Sequence, residues 1–536
     1  MAHIEIKNLT FSYPDSSKPA IENLSLHIEQ GQFVVLFGAS GSGKSTLLRL
    51  IKKDIQPHGS LSGEILVNGE NIQHKNSMTN EIGFVFQDPE NQIVAEDVLH
   101  ELVFGLENIG LSTNQMRGRV AEMVHFFGAE PLLHRKIHEL SGGKKQQINL
   151  ASVLLMQPNI LLLDEPTAQL DPVSTRELLD MLSRLNEEFG MTIVLVEHRL
   201  EEVFTLADKI VMMEQGQIVI DGHPKEVLKK VWNSSHKAYV PTIPKLFFNS
   251  NGEGMVPLSV KEGRRWIGQE QPNYQPTVNG IISNREEVLV RTKNLCFRYD
   301  KKAEFILMDL DFTLMKNEFY ALLGGNGSGK STFLKAIANL LKIDQGKIQL
   351  KGKSIKSHKH NDLVKRIGYL PQNPKLFFIQ DTVEKEIEDS IEQWGHSNPT
   401  EVQQLLEELG IRQLIYQHPY DLSGGEIQKA ALACLLIRKP EILLLDEPTK
   451  GLDPISKDNL AKLLLKLNND GVTILMSTHD VEFAAQYSTK CGMMFQGSIT
   501  SEDTPENFFK GNFFYTTMMQ RLFRGNLKQG EVIKLS

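Results

Sequence analysis

The chain has 536 residues, 40% hydrophobic and 23% charged, enough for two to four soluble globular domains with their own cores. Its net charge of -8 and its lack of a basic block argue against nucleic acid as the main partner. The three scattered cysteines, Cys296, Cys434 and Cys491, exclude a disulfide framework and a zinc module, and are expected to be inert thiols in a reducing compartment.

Met1-Ala2-His3-Ile4 opens no apolar signal region, and no apolar run approaches the roughly 18 residues of a membrane span. Any membrane role is therefore expected to be peripheral. Ile4 to Tyr13 alternates as a strand does. The apolar run Phe33 to Phe37 predicts a buried strand, followed by the Gly-rich turn Gly38, Ala39, Ser40, Gly41, Ser42, Gly43 and a helix from Lys44, Ser45 and Thr46. Phe84-Val85-Phe86 is a short strand ending at Gln87. Leu140-Ser141-Gly142-Gly143 precedes the strands Ile160 to Leu163 and Ile193 to Val196.

Residues 231–285 change character. Asn-Ser-Ser, Asn-Gly-Glu-Gly and Gln-Pro-Asn-Tyr-Gln-Pro read as a linker, with Trp232 and Trp266 expected to pin parts of it to a domain. The pattern then restarts. Val288 to Tyr299 alternates, and Phe319 to Leu323 leads into Gly324, Gly325, Asn326, Gly327, Ser328, Gly329, Lys330, Ser331 and Thr332. Ile367 to Pro371 leads to Gln372, and Leu422-Ser423-Gly424-Gly425 precedes the strands Ile442 to Leu445 and Thr473 to Met476. Lys330 lies 286 residues after Lys44, Asp446 282 after Asp164, and His479 281 after His198, so the repeat is a duplicated domain. The expected boundaries are a first domain at 1–230, a linker at 231–285, a second domain at 286–505 and a tail at 506–536. That tail is read as a capping helix or, alternatively, a partner contact. Continuous apolar strands alternating with helices indicate an α/β fold with mainly parallel sheets.

The glycines of each loop let backbone N–H groups turn inward around a phosphate chain, and the next helix points its positive end at the same anion. Lys44 and Lys330 would bridge the β- and γ-phosphates, and the Ser45 and Ser331 hydroxyls would bind Mg²⁺. Chance would place this pattern in such a chain on the order of 0.02 times, so two occurrences are not accidental. Asp164 and Asp446 end apolar strands beside the loops, where they can hold Mg²⁺ directly or through water. Glu165 and Glu447 follow and can polarise a water for attack on the γ-phosphorus. The Gln87 and Gln372 amides can touch the metal and that water. His198 and His479 can contact the γ-phosphate and position the water or the glutamate. Tyr13 and Tyr299 would stack on adenine or, alternatively, serve as hairpin aromatics.

Taken with Leu-Ser-Gly-Gly, the constellation resembles the ATP-binding cassette (ABC) superfamily over nearly the whole chain. The resemblance implies two tandem P-loop NTPase domains in a pseudo-dimer within one chain, each with a mainly parallel sheet core, an antiparallel β subdomain and a helical signature subdomain. It implies ATP and Mg²⁺, and two composite sites: Lys44, Asp164 and Glu165 with Ser423, Gly424 and Gly425, and Lys330, Asp446 and Glu447 with Ser141, Gly142 and Gly143. Asp171 and Asp453 would lie on the shared face. Lys144 departs from the acidic or amide residue usual after the signature, where the second half has Glu426.

Phe86 to Val94, Glu101 to Asn108, Val196-Glu197-His198-Arg199 and Phe513 to Thr517 look like the ATPases of energy-coupling-factor vitamin and metal importers. Fused pairs of this kind are similar to those serving thiamine or its hydroxymethylpyrimidine precursor. That resemblance implies an integral membrane scaffold protein, a separate substrate-capture membrane protein, and a peripheral position at the cytoplasmic face of the membrane. Glu90, Glu96, Asp97 and Glu101 are expected either to receive arginines from the scaffold or to form a solvated acidic helix. The rival readings are a tandem sugar-importer ATPase and a soluble tandem factor acting on ribosomes. Against the latter, the linker lacks a long charged helix.

Overall fold

A computed structural model describes residues 2–14, 16, 18–74, 80–270, 287–394, 398–512 and 515–524. The chain divides into two compact units, Met1–Asn273 and Tyr274–Ser536, and each has the same plan.

In the first unit a four-stranded antiparallel sheet runs in the order Ile21–Glu29, Ala2–Ser12, Ser60–Val67, Glu70–Asn71. A six-stranded sheet runs Gln217–Gly222, Lys209–Glu214, Phe33–Gly38, Thr192–Val196, Ile160–Asp164, Ile82–Val85. It is parallel throughout except at its antiparallel edge pair Lys209–Glu214 and Gln217–Gly222. The central run is apolar at every position because both faces are covered. Phe33, Val35 and Phe37 face one core with the helices, while Val34 and Leu36 face a second core shared with the antiparallel sheet. Burying each such side chain stabilises the fold by about 1.5–3 kcal/mol. A helical subdomain comprises Val98–Asn108, Thr113–Phe127 and Gly142–Leu155. The second of these helices is closed by a Ser112–Gln115 capping box and by left-handed Gly128.

The second unit repeats this. Its antiparallel sheet is Leu307–Met315, Val288–Phe297, Gln345–Leu350, Lys353–Ser354. Its mixed sheet is Ile367–Leu370, Ile442–Asp446, Thr473–Ser477, Phe319–Leu323, Lys490–Phe495, Ser498–Asp503. The faces again alternate, with Phe319, Ala321 and Leu323 in one core and Tyr320 and Leu322 in the other. Val383–Trp394, Pro399–Glu408 and Gly424–Leu436 form the helical subdomain.

Over residues 231–270 the structure departs from an open linker. Thr242–Asn249 and Val260–Glu270 are helices belonging to the first unit, with Tyr239, Val240, Leu246, Phe247 and Trp266 buried. Trp232 stacks on Phe248 at 5.3 Å, and Phe247 meets Trp266 edge-on at 5.3 Å. Aromatics spaced along a polar sequence supply enough apolar area to dock it. Residues 271–286 lie outside the described residues. The tail holds two short helices, Pro505–Gly511 and Met518–Phe523. Phe508 and Phe509 enter the second core, and the Met518 amide donates to Glu482 Oε1 at 2.6 Å. Of the tail motif Phe513 to Thr517, Phe513 and Phe514 lie outside the described residues. Among the described residues all three cysteines are buried and no disulfide joins them, and no helix is long and apolar enough to cross a membrane.

Candidate active site

Each phosphate loop connects the end of a buried strand to a helix, Lys44–Ile51 or Lys330–Ile337. The first loop needs glycine for two separate reasons. At Gly38 (φ 143°) a Cβ would sit 2.1 Å from the Met213 carbonyl oxygen, and Gly43 starts the helix from a left-handed φ of 96°. Lys44 Nζ donates to the carbonyls of Gly38 (3.1 Å) and Ala39 (2.7 Å), and Lys330 Nζ to those of Gly324 (2.8 Å) and Gly325 (3.1 Å). Each ammonium is thereby held across its own loop, which also contains Ser40, Gly41 and Ser42 in one unit and Asn326, Gly327 and Ser328 in the other. Tyr13 and Tyr299 reach the same helices through their hydroxyls, at 3.1 Å from Thr46 Oγ1 and 3.3 Å from Thr332 Oγ1. Both rings are exposed and meet Phe11 and Phe297 edge-on.

Strand pairing brings a carboxylate to each loop. Ser45 Oγ donates to Asp164 Oδ1 at 2.8 Å, and Ser331 Oγ to Asp446 Oδ1 at 2.9 Å. Asp446 also accepts from Ser477 Oγ at 2.6 Å and from Tyr369 OH at 3.3 Å. Asp164 has no matching hydroxyls among the described residues, because Val196 and Phe84 stand at the corresponding strand positions. Burial pushes its carboxyl up to about 6; the Ser45 hydrogen bond opposes this and neighbouring Glu165 adds to it. A hydroxyl and a buried carboxylate are hard oxygen donors, and among the described residues no cluster of three or more His, Cys, Asp or Glu surrounds them. This sparse set fits Mg²⁺, which keeps most of its shell for water and phosphate oxygens.

The catalytic candidates converge beside it. Glu165 and Glu447 both adopt left-handed backbone, φ 46° and 53°, a conformation costing an L-residue roughly 1–2 kcal/mol. Their carboxylates meet the histidines: Glu165 Oε1 is 2.9 Å from His198 Nε2, and Glu447 Oε1 is 3.2 Å from His479 Nε2. Around these pairs the units differ. In the first, Gln87 Nε2 donates to Glu165 Oε2 at 2.7 Å. In the second, Gln372 is exposed, and among the described residues no hydrogen bond joins it to Glu447. There Glu447 instead accepts from the His479 amide at 3.1 Å and lies 3.8 Å from Lys330 Nζ, which is itself 3.2 Å from His479 Nε2.

The signature residues cap helices. Ser141 Oγ accepts from the Lys144 amide, and Ser423 forms a capping box with Glu426, its amide and hydroxyl donating to Glu426 Oε2 at 2.9 and 2.6 Å. Gly142, Gly143, Gly424 and Gly425 open those helices. Asp171 and Asp453 cap the helices Pro172–Phe189 and Pro454–Asn469.

One acidic residue falls elsewhere than expected. Glu101 is buried; its Oε2 accepts from the Val94 and Ala95 amides at 2.9 and 2.8 Å, so it is not a surface acid. Its position one helical turn after the Asp97 N-cap turns it back under the loop. Glu386 does the same for Ile379 and Gln380 in the second unit. Glu90, Glu96 and Asp97 stay at the surface, pairing with Lys145, Lys136 and His100. Sequence reasoning also gave no role to Glu197. Its carboxylate is 2% exposed and accepts from the Thr167 and His198 amides, each at 3.2 Å. Burial raises its carboxyl above the usual range. The available signal was an acidic side chain directly after a wholly apolar strand.

Fold and site together define a tandem P-loop ATPase. A family profile described as "ABC transporter" matches residues 21–168 and 307–450. A protein of Bacillus cereus assigned as an ABC transporter ATP-binding protein is 43% identical over 98% of this chain and 96% of its own length. One of Methanosarcina acetivorans, assigned likewise, is 33% identical over 92% of this chain and 85% of its own. A solved structure described as cbiO1 from Clostridium perfringens, part of the ABC transporter complex cbiONQ, is 31% identical. It covers 44% of this chain and 97% of that chain, with a TM-score of 0.39. The chain belongs to the ABC transporter family, as an ATP-binding member carrying two ATPase domains.

Proposed function

We propose that this chain is the ATP-hydrolysing subunit that energises import of a small molecule, a vitamin or metal, through a separate membrane complex. The observation that carries this reading is that both units hold a full hydrolytic set: a loop lysine, a Ser–Asp pair and a Glu–His pair. Glu165 and Glu447 accept the proton of a water that attacks the γ-phosphorus, giving ADP and phosphate, while His198 and His479 orient them. Ser45 with Asp164, and Ser331 with Asp446, would hold Mg²⁺, which neutralises phosphate charge; Gln87 and Gln372 are proposed to touch it.

The signature helices that follow Ser141 and Ser423 turn their positive N-terminal ends outward in a way suited to a γ-phosphate. In this reading each completes the site of the opposite half, so that ATP draws the halves together and hydrolysis parts them. That gives the two states the differential affinity a switch requires. The importer class is supported by Phe86 to Val94, Glu101 to Asn108 and the Val196 to Arg199 stretch, and thiamine or its pyrimidine precursor is the cargo they suggest. An integral membrane scaffold and a substrate-capture protein are the implied partners, with this chain peripheral at the cytoplasmic face. Glu90 and Glu96 offer surface charge to scaffold arginines.

Purification of the tagged chain from membranes, with identification of what accompanies it, tests the assignment. Two integral membrane proteins are expected; recovery with ribosomes and no membrane protein would overturn it.

A further inference from the structure

The duplicated halves share their hydrolytic residues but differ beside the histidine, where Val196-Glu197-His198 stands against Ser477-Thr478-His479. In the second unit the amide of His479 has the catalytic carboxylate itself as acceptor, Glu447 Oε2 at 3.1 Å. Ser477 Oγ accepts from the Glu447 amide at 3.1 Å and so ties the same residue down further. Thr478 faces Thr449, hydroxyl to hydroxyl, at 3.4 Å. In the first unit Glu197 accepts from the histidine amide with Oε2 and from the Thr167 amide with Oε1. Glu165 then has both oxygens for side chains, one 2.9 Å from the His198 ring and one accepting from Gln87.

We propose that Glu197 is a positioning residue that relieves Glu165 of the His198 amide and so holds it in register with Gln87, making the first hydrolytic centre chemically distinct from the second. The inference rests on the ATPase reading above. A threonine at 197 reaches neither amide as a carboxylate does. Glu165 then turns onto the His198 amide, as Glu447 does in its own unit, and leaves Gln87. The glutamate that must face water is thereby withdrawn toward the protein backbone.

The test is steady-state ATP hydrolysis by the full chain carrying Glu197→Thr, Gln87→Ala or both, with thermal unfolding as a check of folding. Glu197→Thr is expected to lower kcat roughly three- to tenfold, the worth of one positioned hydrogen bond, while KM for ATP stays within about twofold. In that background Gln87→Ala should cost less than about twofold, although it costs several-fold alone, because the contact it removes is already gone. Glu197→Gln keeps one acceptor and should fall between; it carries the same cycle if the threonine variant does not fold. A wild-type kcat in both Glu197 variants overturns the proposal. So does a Gln87→Ala penalty equal in both backgrounds, since a merely structural role for Glu197 gives additive losses. A wild-type chain that hydrolyses no ATP would instead overturn the parent reading, and the two failures are told apart by that control.

Discussion

Replacing Glu101 tests whether a buried carboxylate, rather than surface charge, organises the loop after Gln87. Its Oε2 accepts two amides, from Val94 at 2.9 Å and Ala95 at 2.8 Å, and among the described residues no other side chain takes that place. A hydrogen bond to a charged group contributes about 1.5–3 kcal/mol, and two sharing one oxygen fall short of twice that. Glu101→Ala should therefore destabilise the loop by about 2–4 kcal/mol. Glu101→Gln, which can present its amide oxygen to both donors, should cost about 1 kcal/mol. Hydrogen exchange reads these bonds one by one. In Glu101→Ala the Val94 and Ala95 amides should exchange about 30-fold faster or more, with the strand Ile160–Asp164 unchanged. Glu386→Ala should do the same to Ile379 and Gln380. Unaltered exchange at Val94 and Ala95 in Glu101→Ala would refute the clamp.

Asp164 carries a pH signature. Burial pushes its folded carboxyl up to about 6, above the ordinary 3.8, so ionisation costs the fold about 3 kcal/mol well above pH 6 and nothing below both values. With Mg²⁺ and nucleotide removed, Asp164→Asn should raise the unfolding temperature at pH 7.5, with the gain shrinking to about a third at pH 4.5; equal effects at the two pH values would contradict this. Asp446→Asn, which weakens bonds from Ser331, Ser477 and Tyr369, should lower stability instead, by about 1–3 kcal/mol in the same melts. Phe247→Ala should release residues 231–270, at a cost of about 3 kcal/mol or more, and expose them to limited proteolysis while the rest of the first unit resists.

Much of this architecture was legible because its signals are local. Phe33 to Phe37 is uniformly apolar because two cores flank it, and the Gly-rich turn and helix after it follow from backbone geometry. The same logic placed Asp164 beside Ser45, since a strand end and a helix start meet at one sheet edge. What escaped depended on tertiary contact. Trp266 was expected to pin the segment and is buried, but the polar composition around 231–270 concealed Tyr239 and Phe247, whose burial needs a surface only the folded first unit supplies. Glu101 read as one of several acids because an N–H donor seven residues upstream has no sequence signature. The different engagement of Glu165 and Glu447 was likewise hidden, because it turns on which neighbour accepts one histidine amide.

The central claim is that each half contributes its own working glutamate to ATP hydrolysis. Turnover measured on the full chain with Glu165→Gln and with Glu447→Gln tests it most directly. Each change should cut the ATPase rate by about tenfold or more while nucleotide binding persists. Wild-type turnover in either variant would remove that glutamate from the chemistry and contradict the account.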